Sequence, residues 1–420
     1  MPVNGIIAEY NPFHNGHKYQ LEESRRLTGA DYTIVVMSGD FVQRGAPALV
    51  NKRLRAEMAL RCGADLVLEL PVLYATASSE YFAAGATALL DKLGVVTHLC
   101  FGSECGEIQG LKRIAAFLAQ EPDGYRAVLK PLLRRGLAYP DARAEALSLW
   151  AKKEAPPSSL PENCETLLSS PNNILGIDYI KEMIKRKSTI IPATVKRKGA
   201  GYHDSAESDG ESPVSALAIR QALREGRSPD SLTAFMPQEA AELLQPCPGE
   251  NSLLYTDDLS GILYYKLLAE RESGYEKYLD VSAELANRIR NSLNGFTGFE
   301  AFCSLLKTKA FTHTRISRCL LHILMGIEKK DMIYGKTLDY IPYARVLGFR
   351  RSAASLLRSV KSNADIPLVT KLADAPAKLP PEAGRLFRQD IFAGELYKGI
   401  VCSITGRPAP SEFSLPLIIL

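Results

Sequence analysis

No apolar run in these 420 residues approaches the roughly 18 to 20 residues that a membrane-spanning helix needs. The start, Met1-Pro2-Val3-Asn4, lacks the basic flank and apolar core of a secretory signal. Both absences predict a cytoplasmic protein with no membrane partner. Cysteine is present without organisation. Cys62, Cys100, Cys105, Cys164, Cys247, Cys303, Cys319 and Cys402 form no CxxC pair and no Cys/His set at zinc spacing. Free thiols and no protein-bound metal cluster are expected. Histidine is scarce, at six, and there is neither an internal repeat nor a low-complexity tract.

Hydrophobic residues make up 46% and charged residues 23%, the proportions of a globular protein, and the length exceeds one ordinary core. The net charge of +4 hides an uneven distribution. Residues 301–371 hold 13 Lys and Arg against 4 Asp and Glu, so the basic surplus is concentrated late in the chain.

Apolar runs at 3–10, 32–37, 65–70 and 96–102 read as strands, and amphipathic stretches at 16–27, 52–61 and 79–92 as the helices between them. Strands buried on both faces and alternating with helices predict a Rossmann-like, doubly wound parallel sheet. The pattern turns helical over 111–149. Residues 152–161 and the Gly/Ser/acid-rich segment 199–212 read as loops, with a helix at 172–184, a strand at 189–195 and a helix at 215–223 between and after them. Past a boundary near 227–230, helical periodicity dominates, with a short α/β coda at 343–371. The expected organisation is an α/β catalytic domain over 1–229 and a mostly helical, basic domain over 230–420.

The strongest local signal is Pro12-Phe13-His14-Asn15-Gly16-His17, between the first strand and the first helix. Glycine lets backbone approach a ligand, and a helix start offers N–H groups and a positive dipole end to an anion. Two histidines three residues apart at such a turn suit phosphate binding and adenylyl transfer. A zinc half-site would need further ligands that the neighbourhood lacks. Asp40 suits either an Asx turn or a hold on a magnesium-bound phosphate. Arg44, Lys52, Arg53 and Arg55 read mainly as a charged helix face.

The extended segment Ala8-Glu9-Tyr10-Asn11-Pro12-Phe13-His14-Asn15-Gly16-His17 resembles the nucleotidyltransferase superfamily through its HxGH signature, and within it the tRNA(Met) cytidine acetate ligase family. Segments 38–45, 170–176 and 307–309, with Arg315 and Arg318 beyond, fit the same family, so the resemblance runs over most of the chain. It implies a nucleotidyltransferase-type fold that forms acetyl-adenylate from ATP and acetate, then transfers the acetyl group to N4 of the wobble cytidine of elongator tRNA(Met). It also implies His14 and His17 as catalytic residues and ATP contacts from Ile7, Ala8, Glu9, Tyr10, Asn11, Pro12, Phe13, Asn15, Gly16, Gly102, Asn172, Arg197 and Ser215. Magnesium is expected to accompany ATP. Gly102 also suits a turn, Asn172 a helix cap and Arg197 a solvated strand end. The superfamily's second phosphate motif corresponds to Ser215-Ala216-Leu217-Ala218-Ile219-Arg220, which departs from the pattern by carrying Leu217 for threonine.

Arg315, Arg318 and His322 fall at i, i+3 and i+7, predicting a basic helix face opposite Ile316, Leu320 and Ile323. With Lys307, Lys309, Arg345, Arg350 and Arg351 it forms a candidate tRNA surface. A small-molecule adenylyltransferase and a non-catalytic RNA-binding protein with a relic nucleotide fold are the alternatives. The first has no use for a basic helical half, and the second none for both histidines. A class I aminoacyl-tRNA synthetase would carry a lysine-rich second signature that is absent here.

Overall fold

The computed structural model describes residues 1–137, 139–154, 160–161, 163–197, 215–244 and 253–420. The loop expected at 199–212 and residues 155–159 of that at 152–161 lie outside the described residues. Strand β1, Val3–Ala8, is central. On one side of it lie β2, Tyr32–Ser38, and, after the short hairpin of β3, Phe41–Val42, and β4, Ala46–Pro47, strand β5, Leu66–Leu70. On the other side lie β6, His98–Ser103, and β7, Ile191–Lys196. All neighbours among these main-sheet strands pair in parallel. The helices Lys52–Arg61 and Ser79–Lys92 have the predicted bounds.

Alternation along each strand explains the layering. Ile34, Val36, Leu66 and Leu68 join a core with the helices Ser79–Lys92 and Pro171–Arg186. Val35, Met37 and Val67 point the other way, to the helices Asn15–Thr28 and Lys52–Arg61. A period of two buries both faces of such strands. Order in the sheet reverses at β1, with β2 on one flank and β6 on the other, which opens a crevice beyond their carboxyl ends.

The sheet crosses the 229/230 division. Strand β8, Ala344–Phe349, pairs antiparallel with β5, and β9, Leu368–Val369, and β10, Ile418–Ile419, pair with β8. The predicted coda is therefore part of the main sheet. The helices Ser260–Ala269, Ala283–Ser292, Phe299–Leu306 and His313–Met325 share one apolar cluster with it, through Leu263, Ile289, Phe302 and Leu320. A 22-residue helix, Gly384–Thr405, has no counterpart in the sequence reading, because no side chain caps its start and its buried face mixes Asp390 and Gly394 with Leu386, Phe387 and Tyr397.

Charge, not only apolar area, joins the two parts. Buried Lys52 reaches Glu412 at 2.8 Å, Glu69 at 2.9 Å and Asp40 at 3.3 Å, and Arg345 reaches Glu69 at 2.8 Å and Glu412 at 2.9 Å. This corrects two expectations. Lys52 and Arg55 are interior groups rather than a charged helix face, and Arg345 is too enclosed to meet RNA. Lys52 and Arg55 are buried on the inner face of the helix Lys52–Arg61, and Arg345 on buried strand β8 meets Glu69 and Glu412 inside the protein. Asp40 accepts the Lys52 backbone N–H at 2.7 Å, so its role is in this cluster.

Lys52→Met should lower stability by about 3–5 kcal/mol in urea unfolding, because three buried carboxylates lose a partner that they cannot replace; a loss below about 1 kcal/mol would mean that the carboxylates regain solvent. Burial opposes ionisation of Glu412, but Lys52 and Arg345 outweigh it and hold the carboxyl down at about 2. Its contribution is therefore complete above the ordinary value of 4.5 and disappears as the pH falls toward about 2.

Candidate active site

Beyond the ends of β1 and β6 lies a cleft of about 870 Å³. That volume suits a nucleotide with room for a second substrate. Ile7, Ala8, Glu9, Tyr10, Asn11, His14, His17, Gly102, Asn172, Arg197 and Ser215 all line it. Pro12, Phe13, Asn15 and Gly16 are not among its lining residues and shape the turn instead. Phe13 is fully buried, with Tyr10 at 4.7 Å between ring centroids, and Tyr10 and Phe13 back His17 at 4.8 and 5.5 Å. Gly16 is required by proximity, since a Cβ there would stand 2.8 Å from His14 Cε1.

The two imidazoles stack, with centroids 3.7 Å apart, and close a reciprocal pair of hydrogen bonds at the helix start. His14 Nδ1 accepts the Gly16 N–H at 3.0 Å, and His17 Nδ1 accepts the His14 N–H at 3.2 Å. An Nδ1 that accepts carries no proton, so each neutral ring holds its hydrogen on Nε2. Burial, then Arg197 and Arg220, pushes His14 down to about 3, and burial, then His14 and Arg197, keeps His17 well below the ordinary histidine range. The turn thus presents two neutral Nε2–H donors.

One detail differs from expectation. Asn15 N–H donates to Phe235 O at 3.0 Å and His17 N–H to His14 O at 2.9 Å, while Gly16 N–H is taken by His14. The first-turn amides are already satisfied inside the protein, so an anion would meet imidazole and guanidinium rather than free backbone N–H groups. Arg220 donates to Asn11 O at 2.6 Å, tying the second motif to the first. Ser215 caps the helix Ala216–Arg224 by accepting the Ala218 N–H, and Leu217 faces the cleft half-exposed, where a threonine would have offered a hydroxyl.

Ser170, not Asn172, is the N-cap of the helix Pro171–Arg186. Asn172 sits inside its first turn. It lines the cleft, and its amide donates to Glu104 Oε1 at 2.6 Å, at the start of the helix Pro171–Arg186. Arg197 continues β7, passing 3.4 Å from where a Gly102 Cβ would stand.

The expected basic residues fall into separate places. Lys307 and Lys309 are exposed, and Arg315 lies over the Phe311 ring at 5.1 Å, one residue from cleft-lining Thr314. Arg318 is mostly enclosed, near Asp280 at 3.9 Å, where Gly45 of the hairpin packs on its backbone. His322 is not on a basic face. It is fully buried, with its ring nitrogens 3.0 Å from Thr76 O and 3.1 Å from Leu279 O. Arg350 donates to Leu60 O and Arg61 O, and its N–H to Asp65 O, which puts it and exposed Arg351 at the amino end of β5, the edge opposite the cleft.

Several lining residues had no sequence signal. Phe82, Phe101, Leu175 and Tyr179 form an apolar side, and Glu300, His313, Thr314 and Ser317 come from the helical part. Gln43 and Arg44 belong to the segment 38–45 that carries the family resemblance, and Arg44, expected on a charged helix face, lines the cleft from the hairpin instead.

The chain matches the HIGH Nucleotidyl Transferase family over residues 1–408. It is 39% identical to the tRNA(Met) cytidine acetate ligase of Acetivibrio thermocellus, with 100% of both chains covered. With that of Caldanaerobacter subterraneus subsp. tengcongensis it shares 41%, over 94% of this chain and 95% of the relative. Among solved structures, Thermotoga maritima TmcAL without ligand superposes with a TM-score of 0.92 at 33% identity, and the same protein bound with alpha-thio ATP with 0.87 at 32%, each over the full length of both chains.

The tautomers are open to measurement. In a ¹⁵N-labelled sample, His14 and His17 should keep Nε2–H shifts from pH 7 to about 4.5, where an ordinary histidine becomes protonated. Protonation near pH 6.5 would mean that the rings are solvated and not held as described.

Proposed function

The chain belongs to the HIGH nucleotidyl transferase family, in its tRNA(Met) cytidine acetate ligase branch, and on that premise we propose that it activates acetate with ATP and passes the acetyl group to N4 of the wobble cytidine of elongator tRNA(Met). The observation that carries this reading is the pair of stacked, neutral Nε2–H donors facing a cleft at the switch point of the sheet. An acetate oxygen attacks the α-phosphorus, the bond to the bridging oxygen breaks, and pyrophosphate leaves. His14 and His17 donate to oxygens on which charge grows, and Arg197 and Arg220 add positive potential beside them. Neutral donors suit the task because they need no proton change as the charge moves from the α-phosphate to the leaving group.

Ala8, Tyr10 and Asn11 support the nucleotide on one side, and Gly102 and Asn172 on the other. Magnesium comes with the triphosphate as part of the substrate, neutralising the leaving phosphates. Residues 1–229 then hold the ATP chemistry and residues 230–420 most of the RNA contacts, with Lys307, Lys309 and Arg315 nearest the cleft. Arg318 shapes that wall more than it touches phosphate. Arg350 and Arg351 serve only a part of the RNA that reaches the opposite edge. The setting for these substrates is the cytoplasm.

Incubation with ATP, [¹⁴C]acetate and bulk tRNA should place label in N4-acetylcytidine. Label that appears only when a small acceptor is added would point to a small-molecule adenylyltransferase instead. His14→Ala and His17→Ala should each slow acetyl-adenylate formation by roughly 10²–10³-fold while tRNA affinity stays within about twofold. Neutralising Lys307, Lys309 and Arg315 together should weaken tRNA binding and flatten its salt dependence, by about one unit of slope for each phosphate no longer neutralised. Equal loss of both activities in every variant would contradict this division of labour.

A further inference from the structure

Building on the acetyl-transfer reading, we propose that the Glu9 carboxylate is the proton acceptor of the second half-reaction, taking the proton that the cytidine N4 amine must release. Glu9 follows directly on β1 and lines the cleft five residues before His14. It is held at both ends. Its backbone carbonyl accepts Arg55 at 2.6 Å, and its Oε1 accepts the Gln43 N–H at 2.7 Å. Among the described residues, Oε2 has no hydrogen-bond partner. The following residue, Tyr10, has φ 48, which turns the chain sharply toward the histidines and leaves Glu9 at the lip of the turn.

A carboxylate in this place repels the anions that the first half-reaction must gather, ATP and acetate. The Glu9 backbone lines the nucleotide with the rest of the turn, but its free carboxylate oxygen suits an amine substrate better than an anion. Among the described residues two other carboxylates line the cleft, and both are engaged: Glu300 with His313 at 3.3 Å and Glu225 with Gln221 at 3.0 Å. Glu9 alone stands on the strand end that leads into the phosphate turn.

The step balances as follows. The N4 lone pair attacks the acetyl carbonyl carbon of acetyl-adenylate, forming the C–N bond while the carbonyl π pair moves to oxygen. The N4 proton passes to Glu9 Oε2. The oxygen pair returns, the bond from the acetyl carbon to the phosphate oxygen breaks, and AMP leaves with that electron pair. Glu9 then returns its proton to solvent. No metal or further reactant is required.

Glu9→Gln is the decisive variant, because its amide oxygen still accepts the Gln43 N–H and the size is unchanged. Acetate-dependent ATP–pyrophosphate exchange reads the first half-reaction. Rapid-quench transfer from preformed [¹⁴C]acetyl-adenylate to tRNA reads the second. The transfer rate constant should fall by roughly 10²–10⁴-fold, at least tenfold more than exchange, and the acid-side decline of the wild-type transfer rate should be absent from the variant. Glu9→Asp, which keeps the charge, should recover part of the transfer rate and restore the acid-side decline. Parallel loss of exchange and transfer would assign Glu9 to ATP activation and overturn the proposal, as would transfer at the wild-type rate. A wild-type protein that exchanges pyrophosphate but never acetylates tRNA would instead defeat the acetyl-transfer reading, and this inference with it.

Discussion

The carbonyl groups at the carboxyl ends of β1 and β2 run out of ladder partners where the catalytic cleft begins. Buried C=O groups without a partner are costly, and here one arginine satisfies them. Arg55 is wholly enclosed and donates to Glu9 O, Ser38 O, Gly39 O and Val50 O. Everything that the cleft does depends on this clamp. It sets the exit direction of β1, hence the turn at Tyr10, hence the place of His14 and His17. A buried guanidinium is tolerable only because every side of it meets an oxygen, and four oxygens on three chain segments are pulled into register by one planar group.

A second set of charges works on a larger scale. Lys52 and Arg345 bind Asp40, Glu69 and Glu412, which come from a loop after β2, from β5 and from the segment near residue 412. The last strands of the chain are thereby fixed to the same sheet that carries the turn at residues 12–17. The consequence for function is geometric. The helix His313–Met325, packed on the hairpin through Gly45 and on Thr76 through His322, becomes a wall of the cleft rather than a separate module. On the proposed division of labour, RNA held by the helical part would be delivered beside the adenylate.

Much of this is legible in the chain, for identifiable reasons. The succession of β1, β2, β5 and β6 along the chain can be read because each is a short, largely buried apolar run, whereas the edge strand β7 is mostly half-exposed. The turn at residues 12–17 stands out because two of six histidines lie three apart at a strand-to-helix junction. The residues that a local reading misplaces share one cause. Arg345, Lys52, Arg55 and His322 carry or can carry charge, which says that a residue prefers water unless it is paired. The deciding partners of Lys52, Arg345 and His322 include Glu69, Glu412 and Thr76, which lie 17 to more than 200 positions away, and no local pattern announces them. Exposed amides at the helix start are expected for a similar reason. That Phe235 O and the His14 ring occupy them depends on a fold contact and a side-chain conformation.

The amino-acid sequence by itself determined the layered α/β class and the strand-to-helix turn with its two histidines, since these rest on periodicity and on spacing within a few residues. Only the tertiary structure decided which cations are buried structural groups and which face the cleft. It also decided the Nε2–H tautomers, the entry of β8 into the sheet, and the placing of Glu9 on the lip of the turn that leads to the two histidines. The physical reason is that ion pairs, burial and hydrogen-bond satisfaction are set by groups distant in the chain, and these become neighbours only when the sheet has closed its last strands.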